Sequence, residues 1–120
     1  MCIETWLLGN IRIVKSRPEG EELKRYINHY NVKVQDPELM DKIEDFRNRA
    51  QFHFSYLREV FKEHKLTYSK SRPKEILKPT YFYELKRRIE TTDHLPSLRY
   101  FFDFLTNIKN SLETPPLNPQ

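Results

Sequence analysis

The residues of this 120-residue chain that could do chemistry are four histidines, one cysteine and a scatter of arginines and lysines. His29, His53, His64 and His94 share no spacing that aims two imidazoles at one metal: there is no His-x-x-x-His, and no Glu-x-x-His pair converging with other ligands on a helix face. No metal site is expected. Cys2 has no histidine close in sequence to take its proton, so a thiol nucleophile is not expected either. A single cysteine also excludes an internal disulfide framework, which fits a reducing compartment, and the chain is assigned to the cytoplasm. The only glycines, Gly9 and Gly20, stand alone. Phosphate-cradling loops need clustered glycines where backbone must approach the ligand, so no nucleotide cofactor is expected. No stretch approaches the roughly 20 apolar residues of a membrane-spanning helix. The opening Met1-Cys2-Ile3-Glu4-Thr5-Trp6 lacks the basic region and cleavage site of a signal peptide, and no membrane partner is expected.

One local pattern carries catalytic potential. Arg47-Asn48-Arg49-Ala50-Gln51-Phe52-His53 resembles the signature of HEPN-domain ribonucleases, in which an arginine followed by a polar residue precedes a histidine by four to six positions. That family is an all-helical bundle of about this size, usually dimeric. The resemblance implies that Arg47 holds the scissile phosphate, Asn48 orients the groups and His53 transfers a proton, without a metal. Against it, the motif lies in mid-chain rather than near the last helix. On a regular helix Arg49, not Arg47, shares the side of His53. The leading reading is therefore a chain without a catalytic site, with this metal-independent ribonuclease as the alternative.

The charge map points to a polyanion. The net charge is +4 and the isoelectric point about 9.2, unevenly spread. Residues 36–46 carry Asp36, Glu38, Asp41, Glu44 and Asp45 against Lys42 alone. Residues 62–88 carry nine cations against Glu63, Glu75 and Glu84. With Arg58, the expected nucleic-acid-binding set is Lys62, Lys65, Lys70, Arg72, Lys74, Lys78, Lys86, Arg87 and Arg88. Tyr68, Tyr81 and Tyr83 lie in the same segment. Aromatic faces beside lysines suit a single strand of RNA or DNA, whose bases stack while the cations track its backbone. Lysine outnumbers arginine from Lys62 to Arg88, which favours point-charge contact with phosphates over reading of base edges, so no sequence preference is expected.

The elements that must position these residues read as helices separated by prolines. Asp36-Pro37-Glu38 supplies a cap, a first-turn proline and an acid for the positive helix end, and Leu39, Ile43, Phe46, Ala50, Leu57 and Phe61 follow at helical spacing. These predict a central helix over about 36–65, near 28 residues and roughly 42 Å long. On it Arg47, Arg58 and Lys65 would share a stripe leading toward Lys74. A second helix, 97–113, is expected along it, with Phe101, Leu105 and Ile108 facing Phe46, Leu57 and Phe61. Shorter helices are expected from Pro18 to Tyr30 and from Pro79 to about Thr92, the latter with Phe82, Leu85 and Ile89 inward, and a loop over 66–78 with a turn at 74–77. Residues 2–14 read as helix or strand. The expected fold is all-α, a single domain over 1–114 of four to five helices, with a proline-rich tail at 115–120.

Eight phenylalanines, seven tyrosines and one tryptophan are more than so small a domain can bury. Trp6, Phe52, Tyr56, Tyr100 and Phe104 fall off the apolar stripes and are expected at the surface, facing other protein subunits, copies of the chain itself among them. Over its whole length, by size, helicity, charge map and an abrupt start within an element, the chain resembles the small helical subunits of CRISPR effector complexes. That resemblance implies a non-catalytic antiviral-defence subunit lying along an RNA or DNA backbone. It also implies that the chain could be the internal product of a larger gene. The other alternative is a pure protein-interaction module.

Overall fold

Among the described residues of the computed structural model, 2–71 and 73–113, every regular element is helical and no strand forms. The opening segment is α1, Ile3–Leu7, followed by a 3-10 turn at Ile11–Ile13. Helix α2, Glu21–His29, begins after Gly20, and the Glu63 carboxylate accepts the backbone N–H groups of Glu19 and Gly20 at 2.9 Å, tying its start to a distant helix end. Helix α3 is Arg49–Lys62, capped by Asn48, whose side-chain oxygen accepts the Gln51 N–H at 2.8 Å. Helix α4, Pro79–Thr91, opens on proline after a turn at 74–77. Helix α5 is Pro96–Glu113.

The expected helix over 36–65 is corrected to α3 alone. Asp36 does start a turn, Pro37–Leu39, but only a 3-10 one. Its carboxylate also accepts the Leu95 N–H at 3.0 Å, which holds the turn against the start of α5. The buried Met40 then runs extended, and its carbonyl accepts from Arg49 Nε at 2.9 Å and pairs with His53 Nε2 at 3.0 Å instead of with a helical N–H. The acids of 41–45 gain nothing from a mid-helix position, where no dipole end meets them. Asp45 pairs with Arg25 at 3.3 Å instead.

Helix α3 is the centre of the core. Phe52, Tyr56, Leu57, Val60 and Phe61 are buried on it, and α1 and α2 pack against it. Tyr26 of α2 meets Phe52 edge-on at 5.2 Å, and Tyr56 donates to the Tyr30 carbonyl at 2.7 Å. Phe52 and Tyr56, expected at the surface, are thus core residues, and Trp6 is half-buried, stacked on Phe101 at 5.4 Å. Tyr100 and Phe104 are exposed. In α4 Leu85 and Ile89 point inward as expected, but Tyr81 and Arg88 join them and Phe82 does not.

Helix α5 does not lie along α3. The Glu38 carboxylate caps its start, accepting Ser97 N–H at 3.0 Å and Ser97 Oγ–H at 2.6 Å, and Trp6 Nε1–H donates to Ser97 Oγ at 2.8 Å. Leu98 is buried and Phe102 meets Phe82 of α4 edge-on at 4.7 Å. From Asp103 to Leu112 every residue is exposed, Leu112 to 81%. The apolar side of α3 is already closed by α1, α2 and the buried Tyr68 and Tyr81, whose rings pack on Phe61, so no room remains for a second long helix.

Candidate nucleic-acid interface

The expected basic segment divides by what each cation already touches. Arg88 is only 1% exposed and belongs to the core. Its guanidinium donates to the carbonyls of Gly9 at 3.1 Å, Val32 at 2.6 Å and Gln35 at 3.1 Å, and its Nε to His94 Nδ1 at 3.0 Å. It is removed from the interface: it sews α4 to the two loops that follow α1 and α2. Burial holds it below the usual arginine pKa, while Asp36 nearby acts the other way. Four more cations face carboxylates: Arg58 and Lys62 lie 3.9 and 3.1 Å from Glu59, Lys70 is 3.6 Å from the buried Glu4, and Lys78 is 2.9 Å from Glu75. Lys70 neutralises a carboxylate that also accepts from Tyr68 Oη–H at 2.6 Å. Lys65, Lys74, Lys86 and Arg87 are exposed and form no ion pair among the described residues. Arg72 lies outside the described residues.

The tyrosines divide the same way. Tyr68 is buried on Glu4, and Tyr81 donates to the Leu7 carbonyl at 2.6 Å; burial pushes both phenols up from the ordinary tyrosine value. Tyr83 alone of the three is a surface ring, 65% exposed. On α4 it stands three and four residues before Lys86 and Arg87, so the ring and both cations share one solvent face. The buried face, with Tyr81, Leu85, Arg88 and Ile89, is what turns this one outward.

Beside that face lies a cleft of about 370 Å³ lined by Ile11, Arg12, Glu84, Arg87, Arg88 and Thr91. Arg12 pairs with Glu84 at 3.3 Å while remaining largely exposed. Three guanidinium groups against one carboxylate leave the cleft positive, with Arg12 and Arg87 the accessible pair. Arg12 was missed in the sequence because more than 70 positions separate it from Arg87. The expected track from Arg47 to Lys74 along one helix does not form: Arg47 precedes the α3 cap, and Lys65 lies beyond the helix end with φ 57°.

The ribonuclease-like residues are separated by the same cap. Asn48 spends its side-chain oxygen on Gln51, and exposed Arg47 gives its backbone N–H to Gln51 Oε1 at 2.7 Å. His53 is buried, with Nε2 on the Met40 carbonyl at 3.0 Å and Nδ1 on Thr5 Oγ1 at 2.7 Å. Since a carbonyl only accepts, Nε2 carries the proton and the Thr5 hydroxyl donates to Nδ1. Burial keeps the ring below the ordinary histidine pKa. The other histidines are also engaged: His29 on the Asp41 carbonyl, His64 on the Ile13 carbonyl, His94 under Arg88. Among the described residues no cluster of His, Cys, Asp and Glu could hold a metal, and no helix is long and apolar enough to cross a membrane.

Compared with protein-family models, with curated proteins and with solved structures, the chain matches none.

Proposed function

We propose that the protein is a non-catalytic helical subunit that holds the backbone of single-stranded nucleic acid on the outer face of α4, within a larger nucleoprotein assembly of the cytoplasm. The observation that carries the reading is the surface ring of Tyr83 set beside Lys86 and Arg87, next to a positive cleft shared by Arg12 and Arg87. A ring open to solvent offers a stacking platform to any base, and mobile lysine and arginine heads beside it neutralise successive phosphates. Nothing in the arrangement reads base edges, so affinity is independent of sequence. The ribonuclease alternative has weaker support, because His53 is buried with both ring nitrogens engaged and Arg47 stands outside its helix.

Fluorescence anisotropy with unrelated single-stranded oligonucleotides at several salt concentrations tests this. About three neutralised phosphates, one each for Arg12, Lys86 and Arg87, give a slope of log affinity against log salt of roughly −2, at about −0.7 per contact. The double change Lys86→Glu and Arg87→Glu flattens that slope and weakens binding to all sequences alike. Tyr83→Ala costs on the order of 1–3 kcal/mol of binding with the slope preserved. No binding at low salt, or variants that bind as the parent does, would remove nucleic acid from the reading.

A further inference from the structure

Helix α5 repeats apolar residues at alternating spacings of three and four: Leu98, Phe101, Leu105, Ile108 and Leu112. That is the seam of a two-stranded coiled coil, in which each such residue inserts between side chains of a facing helix. In this chain only Leu98 of the series is buried. At the base of the arm lies an apolar groove of about 190 Å³, lined by Ile3, Trp6, Leu77, Phe82 and Phe101 among others, with Ile3, Leu77 and Phe82 substantially exposed. An arm with an open seam and a groove beside its root form a self-complementary pair.

We infer that α5 pairs antiparallel with α5 of a second copy of the chain, the tip of each arm covering the groove at the root of the other. In this register Leu105 of one copy lies beside Ile108 of the other and Phe101 beside Leu112, and the contacts repeat by two-fold symmetry. Three observations select this occupant. The first is area: the exposed parts of the seam, Phe104 and the groove residues amount to about 750 Å² per copy if a whole side chain is taken as roughly 175 Å², so mutual cover buries about 1,500 Å², the size of a stable interface. Without the grooves the area falls well short, and only the antiparallel arrangement brings the tips to them. The second is charge: Arg99, Asp103, Lys109 and Glu113 cancel along α5, so the net +4 resides on residues 1–95. Antiparallel arms keep those two like-charged bodies at opposite ends, whereas parallel arms would press them together. The third is polarity: antiparallel helices set opposite dipole ends side by side.

The inference stands apart from the nucleic-acid reading, since it uses no residue of the α4 polar face. Sedimentation of the full chain at tens of micromolar gives a dimer, and Leu105→Glu with Ile108→Glu halves the mass without change in far-ultraviolet circular dichroism, because both residues are already solvent-facing. A parent chain that is monomeric, whether its own tail or nothing covers the seam, overturns the inference, as does a double variant that stays dimeric. Orientation is read by cross-linking in a Cys2→Ser background. Phe101→Cys with Leu112→Cys forms an intermolecular disulfide, since the two positions face each other. Leu112→Cys alone does not, because the tips lie about 16 Å apart along the axis and a disulfide spans less than about 7 Å between Cα atoms. Ready cross-linking by that single variant would overturn the antiparallel arrangement.

Discussion

Neighbouring arginines of α4 have opposite fates, and the reason is one helical step. Arg87 faces water and forms no ion pair among the described residues; Arg88, rotated by about 100° onto the packed side, spends its donors on three backbone carbonyls and an imidazole. A rigid fork of donors suits this use, because it satisfies several carbonyls that the loops following α1 and α2 would otherwise bury unpaired. His53 is the comparable case among titratable groups. Its folded pKa lies below the ordinary value through burial, so the unfolded chain takes up a proton first as pH falls. The His53 contribution is complete above about pH 6.5 and is lost as pH falls from there through the depressed folded value. Thermal melts should therefore show a Tm lower near pH 5 than near pH 7, above the range in which carboxylates titrate. His53→Gln, with no proton to take up, should lack that difference. A melt series for the variant parallel to that of the parent would show that the loss arises elsewhere.

At the scale of elements, where each helix stops matters as much as where it starts. Just past the end of α3, Lys65 takes up the left-handed region, φ 57°, so that the Leu66 N–H can return to the Phe61 carbonyl at 3.0 Å. A side chain there is strained by roughly 1 kcal/mol relative to glycine, the residue that commonly fills this position. Lys65→Gly is expected to raise stability by about that amount and Tm by a few degrees, measured by thermal or denaturant unfolding. An unchanged or lower Tm would contradict the assignment. The start of α3 shows the converse: the Asn48 cap ends the acidic connection and resets the helix, so an apolar periodicity that continues through the sequence is interrupted in the backbone.

The whole molecule combines a packed body with an unpacked arm. Leu57, buried in α3, loses both its contacts and the volume it fills when cut back: Leu57→Ala should cost about 2–5 kcal/mol. Tyr100, on α5 and outside the seam, is 76% exposed, and Tyr100→Ala should change stability by no more than about 0.5 kcal/mol. Denaturant melts of the two variants check the partition, and a comparable loss at Tyr100 would mean that α5 packs more fully than its exposure shows.

The helical class, the short second helix, the helix opened by Pro79, the turn over 74–77 and the loop around it were legible in the sequence. Proline stops and 3.6-residue spacing act locally and need no knowledge of the rest of the chain. The segment bearing the exposed cations Lys74, Lys86 and Arg87 was legible for the same reason: charge is written in composition. Tertiary structure alone decided which cations are spent. Arg88 looks like Arg87 until three carbonyls from distant loops converge on it, and Lys70 looks free until Glu4 is buried beside it. It also decided that Arg12 joins Arg87, that Met40 gives its carbonyl to Arg49 and His53 rather than to a longer helix, and that the stripe of α5 finds no core to face. Periodicity says that a helix has an apolar side; only the packing of all the others determines whether any surface is left to cover it.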